Sequence, residues 1–483
     1  MSGLLRLVPG EPEPSHELAA TSTGTRSRPR WAADPLDELA EELADVCAAA
    51  VHPDEIAAVL EADGLTGEQI AERYGRADAF ELAAELFARV PRGHPEPAPR
   101  PDPWKVGPGA SLLRSVVFTL PGFGYALGSP LLAGARDRFG MPAGTWALVA
   151  SALTAWAWNQ GLAHRAYLRL AAGGRAAAGR SLSVGAPLGA LLATAAALAL
   201  RAPAGVLVFA AGQALYLAAA TALLVLGRER LLLLALLPTA TGGAVLVAAR
   251  PPALLGTGLL VATVGGALFA AGYETLRARR GEKPPSGPVP APAASLPYGL
   301  FGLGCGLLTT FAALGDALAH RGGGGTSGPA VIALTLSMGP AEWLLYRCRG
   351  RSLAALAAAT TTTGLLWRAA RVLALCAAGY LAALTVLVLA VGALWPGGAP
   401  PGPGRLTALL ALGAVLWTGL LLQAYGTAWP PALLCLGAAA AEAGALRLGT
   451  AAPVTDQLVI CSGAAAALLA VATALLGRIT THR

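Results

Sequence analysis

Few ionisable or amide side chains fall inside the long apolar stretches of this 483-residue chain, and those few bound the chemistry it could do. The acids are Glu274, Asp316, Glu342 and Glu442, and the main amides are Asn159, Gln160, Gln213 and Gln423. A charge at the centre of a membrane span costs at least ~2.5–3.5 kcal/mol on insertion scales, so each must be paired, solvated or used. Glu342 is followed by Arg347 and Arg351 with the same spacing that separates Gln160 from Arg165 and Arg169. With Asn159 beside Gln160, such a set suits one kind of task. The carboxyl group could bind a proton or cation, or orient a cargo hydroxyl, and the four arginines could hold a diphosphate through bidentate guanidinium contacts. Two plainer readings use the same residues: Glu342 pairs with Arg347, and the arginines follow the ordinary cytoplasmic bias of basic residues. Glu442, on an Ala/Gly face, reads as a polar contact in close helix packing. Asp316 and Glu274 fall near span ends, where headgroup water would reach them.

Nothing in the pattern calls for a metal or cofactor. Six cysteines lie far apart, without a C-x-x-C or a His cluster, and read as small buried hydrophobes. The predicted outer loops are short, with Asp137 nearly their sole acid, which weighs against an enzyme with an outer-face active site.

The elements that must position these residues are membrane helices. The chain is 55% hydrophobic and only 13% charged, against about one quarter charged in soluble domains. From about 111 onward it runs as apolar stretches long enough to cross a bilayer, and in hydrocarbon only helices or closed barrels satisfy the backbone. The expected spans are 112–133, 142–163, 182–200, 203–226, 230–249, 252–274, 295–319, 328–346, 370–395, 405–424, 428–446 and 457–477. The fold class is therefore all-α: a polytopic bundle of about 12 spans in two six-helix halves, with a small cytoplasmic helical domain at the N-terminus. The first stretch apolar enough to insert begins near Leu112, so no cleavable signal peptide is expected. Counting loop residues, 17 Lys/Arg fall on one side and 7 on the other, which puts both termini in the cytoplasm. The expected location is the cell membrane.

Charge divides the chain further. Residues 34–92 hold 15 Asp/Glu against 4 Arg, whereas 111–483 hold 25 Lys/Arg against 8 Asp/Glu. Residues 1–33, rich in Pro, Ser, Thr and Arg, read as a disordered tail. In 34–92 the pattern predicts helices opened by Asp34-Pro35, by Pro53, by a Thr66/Gln69 capping box and by Asp78, with Leu36, Leu39, Leu43 and Val46 on one face of the first. Phe80, Leu86, Phe87 and Val90 are expected to point inward from the last. Residues 65–75 have the look of the first part of a helix-turn-helix, but so acidic a module would be repelled by phosphates, so no nucleic-acid partner is expected. Two readings remain for this segment: a docking or regulatory module for a cytoplasmic protein partner, or a passive folded cap. The remaining segments are a Pro-rich linker at 93–110, a first membrane half at 111–275, a cytoplasmic linker at 276–294 and a second half at 295–478.

The halves read as a repeat. Leu120-Pro121 followed by Leu127-Gly128 recurs as Leu296-Pro297 followed by Leu303-Gly304, an offset of 176, and the Gln160 and Glu342 series are offset by 182. Two six-helix bundles of this kind can enclose a cavity that opens alternately to each side. In this pattern, and in the basic connections Arg165 to Arg180 and Arg347 to Arg371, the membrane part resembles the multidrug/oligosaccharidyl-lipid/polysaccharide exporter superfamily. That resemblance implies a flippase-like transporter whose partners are membrane lipids and a lipid-linked saccharide cargo. Gly134-Ala-Arg136-Asp137-Arg138-Phe-Gly140 is similar to the loop motif of the major facilitator superfamily, which implies a small-molecule exporter instead, although here the motif falls between the first and second spans. A scaffold that recruits a partner through residues 34–92 is the third reading.

Overall fold

A computed structural model describes residues 34–91, 93, 108–137, 139–248, 252–281, 291–319, 328–359, 361–394 and 401–476. The expected tail at 1–33 and most of the linker at 93–110 lie outside the described residues, as do 282–290 of the second linker.

The chain separates into two compact units. The N-terminal one is built from α1 (Pro35–Glu42), α2 (Ala44–Ala49), α3 (Pro53–Ala62), α4 (Gly67–Tyr74) and α5 (Ala79–Arg89). Its caps follow from the sequence. Asp34 accepts from the Leu36 amide at 3.1 Å, Thr66 and Gln69 complete a capping box, and Gly75 ends α4 in the left-handed region at φ 66°. The expected first helix is divided at Leu43, whose φ/ψ of −98°/16° separates α1 from α2. Leu36, Leu39, Ile56, Leu60, Ile70, Leu82 and Leu86 form the core. Phe80 does not join it and is 56% exposed. The buried face of α5 is Ala79, Leu82, Ala83 and Leu86, a helical i, i+3, i+4, i+7 stripe that Phe80 misses by one position. Arg89 bridges Asp34, Asp37 and Glu85, tying α5 back to α1, and these carboxylates raise its guanidinium pKa above the ordinary value.

The second unit is helical throughout its described residues, apart from turns and one isolated bridge between Arg136 and Pro142. It comprises α6 (Pro108–Thr119), α7 (Gly122–Leu127), α8 (Ser129–Leu132), α9 (Thr145–Ala199), α10 (Ala204–Val225), α11 (Glu229–Ala248), α12 (Ala253–Arg279), α13 (Leu296–Ala319), α14 (Gly328–Leu336), α15 (Met338–Ala357), α16 (Thr362–Leu394), α17 (Pro403–Ala424), α18 (Trp429–Leu448) and α19 (Pro453–Leu476). Eight helices among the described residues are long and apolar enough to cross a membrane. The 55-residue α9 covers two of the expected spans, separated where Gly173 and Gly174 leave helical geometry. The remaining expected spans fall on interrupted helices, α6 to α8 and α14 to α15, and on α11, which carries Pro238 in its middle.

The exterior of this unit is apolar in the manner of a lipid-facing surface. Leu254 and Phe269 on α12 are 88% and 79% exposed, and Trp367 and Val386 on α16 are similarly bare. Several hydroxyls within the helices are satisfied locally: Thr154, Thr194, Thr221 and Thr309 each donate to the carbonyl four residues earlier, a bond that suits hydrocarbon surroundings.

Two large hydrophobic cores occupy this unit among the described residues, one running from Val117 to Ala278 and the other from Phe301 to Leu476, with a small third cluster at Ala147, Ala197 and Ala210. Their details match. α10 and α17 end in the same backbone motif, with Gly227 at φ 69° and Gly426 at φ 78°. In each, the glycine amide donates three residues back (3.1 and 2.9 Å) and the next amide five residues back (2.8 and 3.0 Å), a Schellman-type close in which glycine alone carries the positive φ without strain. The packing between the two groups of helices is reciprocal: α6 lies on α14 and α15, and α9 lies on α13. If the first two helical segments of one group correspond to the first two of the other, these are the same interface taken twice. The two Leu-Pro pairs of the expected repeat are placed differently, Pro121 at the break between α6 and α7 and Pro297 in the first turn of α13.

Candidate functional site

A cavity lies where the two groups of helices meet, and it contains both Gln160 and Glu342. α9 supplies Trp156 and Gln160, α13 supplies Gly302, Cys305 and Thr309, and the α14–α15 junction supplies Thr335, Ser337 and Glu342. Thr221 of α10, Glu229 of α11, Tyr380 of α16 and Trp417 of α17 close the remaining sides. The space is about 160 Å³, smaller than the roughly 300–1,000 Å³ of pockets for drug-sized ligands. In this conformation it has room for water or one small group.

The wall around Ser337 follows from the local sequence. Pro340 has no amide to donate, so the helix is interrupted between α14 and α15. The Ser337 hydroxyl turns back to the Leu334 carbonyl at 2.7 Å and meets the Tyr380 hydroxyl at 3.2 Å. Trp417, 1% exposed, donates its indole N–H to the Ala341 carbonyl at 3.1 Å and stacks on Tyr380 with ring centroids 6.0 Å apart. A helix break at a cavity wall is thus fixed by two aromatic residues from neighbouring helices. Trp156 leaves its buried indole Nε1 without a hydrogen-bond partner among the described residues, a donor in the wall of the same space.

The other candidates are distributed around this centre. Asn159 is buried beside Gln160, outside the cavity lining, with its Oδ1 unpartnered among the described residues. None of the four arginines is among the described lining residues. Arg165 and Arg347 stand five residues beyond Gln160 and Glu342, about 7.5 Å along each helix at 1.5 Å per residue. Arg347 lies over the Trp343 ring at 4.6 Å. Arg351 is exposed, Arg165 and Arg169 are half-buried, and Arg169 keeps a buried Nε without a hydrogen-bond partner among the described residues.

No family model matches this chain, and no curated protein matches it.

The remaining acids have structural partners. Glu274 is buried, not bathed by headgroup water, and receives Arg228 at 2.8 Å and Arg175 at 3.9 Å. Asp316 pairs with Arg405 at 2.9 Å. Glu442 accepts from the Cys461 thiol at 3.3 Å within the second core. Asp137, in the facilitator-like loop, accepts from the Phe139 and Met141 amides and from the Trp146 indole, so its carboxylate organises its own turn. Two arginines cap helix ends in matching fashion: Arg175 donates to the Leu226 carbonyl and Arg349 to the Ala424 carbonyl, at the C-terminal ends of α10 and α17. Among the described residues no group of three His, Cys, Asp or Glu side chains could hold a metal ion.

Sequence reasoning missed Thr221, Glu229, Tyr380 and Trp417 as parts of the cavity, since their approach to Gln160 and Glu342 depends on tertiary packing. It also passed over His164, whose ring stacks on Tyr298 at 3.6 Å between centroids and whose Nδ1 lies 3.0 Å from the Ser295 hydroxyl. The i, i+4 spacing from Gln160 to His164 was the available signal.

Proposed function

We propose that this protein is a twelve-span transporter of the cell membrane, with both termini cytoplasmic, that moves a lipid-linked saccharide or polysaccharide precursor across the bilayer. The observation that carries the proposal is the cavity between the two groups of helices, with Gln160 from one and Glu342 from the other in its walls. On this reading α6–α12 and α13–α19 are two six-helix halves. The reciprocal packing of α6 on α14–α15 and of α9 on α13, and the paired glycine turns at Gly227 and Gly426, support a duplication. The halves rock about the cavity to expose it to each face in turn. Because the space is small, cargo enters only when the halves part, and its lipid chain stays in the bilayer.

Gln160 and Glu342 orient cargo hydroxyls, and the carboxyl group of Glu342 exchanges a proton or cation as the halves rock. Arg165, Arg169, Arg347 and Arg351, beyond the cavity toward one end, meet the anionic link between lipid and sugar as it approaches. The acidic unit at 34–92 serves as a cytoplasmic docking module.

Vesicles holding the purified protein and a polyprenyl-diphosphate-linked sugar test this reading. Glu342→Gln is expected to lose flux while inserting and purifying normally, and deletion of residues 34–92 to leave flux measurable. Undiminished flux in Glu342→Gln removes Glu342 from the site, and loss of all function on deletion points to a scaffold.

A further inference from the structure

The hairpin of α15 and α16 carries cations that no acid answers. Between Glu342 and Glu442 the sequence has no Asp or Glu, yet Arg347, Arg349 and Arg351 lie on α15 and Arg368 and Arg371 on α16. Arg349 turns inward to the Ala424 carbonyl. The other four are exposed, and none has a carboxylate at ion-pair distance among the described residues, whereas Arg175 and Arg228 close on Glu274. A Cβ on Gly379 of α16 would stand 3.5 Å from Cδ2 of Leu344 on α15, and the Cys348 thiol meets that of Cys376, so the two helices run antiparallel. Arg351 lies as far beyond Leu344 as Val372 lies before Gly379, which sets Arg351 and Arg371 at nearly one level. The charges of Arg347 and Arg351 both reach Cys376, so they stand on the side of α15 turned toward α16.

One side of α16 extends this patch into a surface with a polar head and an apolar tail. Trp367 is 73% exposed, beside Arg368 and one turn before Arg371, and the same side runs on through Leu375, Ala382 and Val386, all exposed. From Arg371 to Val386 the helix rises about 22 Å at 1.5 Å per residue, half of a bilayer roughly 40–45 Å thick with its head groups. Guanidinium groups pair bidentately with phosphate oxygens, and an indole suits the membrane interface. We infer that the α15–α16 hairpin is a binding site for an anionic phospholipid of the inner leaflet. Arg347, Arg351, Arg368 and Arg371 hold its phosphate, Trp367 packs at head-group level, and an acyl chain lies along Leu375 to Val386. Four unpaired cations in one patch favour a head group of net negative charge over a zwitterionic one. This lipid is a resident of the bilayer, separate from any cargo, and only its leaflet follows from the proposed topology.

The experiment uses the purified full chain in neutral detergent, with phosphatidylglycerol and phosphatidylcholine of identical chains as probes and native mass spectrometry to read bound lipid. Phosphatidylglycerol is expected to bind at least tenfold more tightly. An arginine near an anionic lipid surface contributes about a factor of five, so Arg368→Gln/Arg371→Gln is expected to weaken that binding roughly ten- to thirtyfold. Arg277→Gln/Arg279→Gln, which removes two exposed arginines from the end of α12, is expected to weaken it less than threefold. Equal losses in the two pairs would reduce the site to the general cytoplasmic bias of basic residues and overturn it. Equal affinity of the unsubstituted protein for the two lipids would overturn it as well, a result that needs no variant to fold. Displacement of the lipid by millimolar glycerol 3-phosphate would assign the arginines to a soluble phosphate and sink the lipid assignment. Bound lipid is read without flux, so the transport reading stands or falls separately.

Discussion

A close approach of α10 to the backbone of α8 can be tested with two glycines of one helix. In α10, a Cβ on Gly205 would stand 2.5 Å from the carbonyl oxygen of Leu131 and 3.3 Å from its carbonyl carbon, whereas Gly212 has nothing within 4 Å. Ala is about 0.8–1.0 kcal/mol better than Gly in a helix interior, so Gly212→Ala should be neutral or stabilising by up to about that amount. Gly205→Ala, in the first turn of α10, gains less of that propensity and drives a methyl group into backbone that cannot rotate away. Overpacking of this kind costs typically ~1–3 kcal/mol, so the two variants should differ by about that much. At roughly 2–4 °C per kcal/mol for a unit of 150–250 residues, Gly205→Ala should unfold several degrees below Gly212→Ala. Fluorescence-detected size exclusion after heating in detergent measures this for both variants side by side. Equal melting temperatures, or a higher one for Gly205→Ala, would refute the close contact between α8 and α10.

Other perturbations probe separate parts of the account. Glu274→Gln removes the negative charge that Arg228 and Arg175 face at a buried position. A fully buried pair broken in this way would lose ~3–5 kcal/mol, but both arginines are more than a third exposed, so about 1–2 kcal/mol is expected. A melting temperature that does not move would show the pair to be solvated. In the isolated 34–93 segment, Thr66→Ala should cost about 1 kcal/mol in urea unfolding through loss of the α4 cap, and an unchanged midpoint would contradict the capping box. Cys47 in the same segment is fully buried and its thiol pKa is raised by that burial. Its thiolate fraction is therefore below that of a free cysteine at any pH near 8, and maleimide should react with it more slowly in the folded segment than in urea; equal rates would mean the site is open.

Local features were readable in the chain and long-range ones were not. Asp34, Thr66 and Gly75 declare helix ends because capping chemistry is completed within three or four residues. The apolar stretches declare helices for a similar reason, since an apolar surrounding leaves the backbone no partner except itself. The spacing shared by Gln160 and Glu342 was legible, and both side chains reach one cavity. Phe80 was misplaced because a one-residue error rotates a helical side chain by about 100°. The burial of Glu274 was unreadable because its partner Arg228 is 46 residues away, and Trp417 could not be linked to Ala341 across 76 residues. In each case the deciding interaction joins helices distant in sequence.

The most direct test of the account is flux of a polyprenyl-diphosphate-linked sugar by the purified, reconstituted protein, read as the fraction of sugar accessible to an impermeant enzyme outside the vesicles. The account expects accessibility to climb with time from the outer-leaflet half toward completion, and to stay at half in protein-free vesicles. Accessibility that remains at half in the presence of well-inserted protein would contradict it.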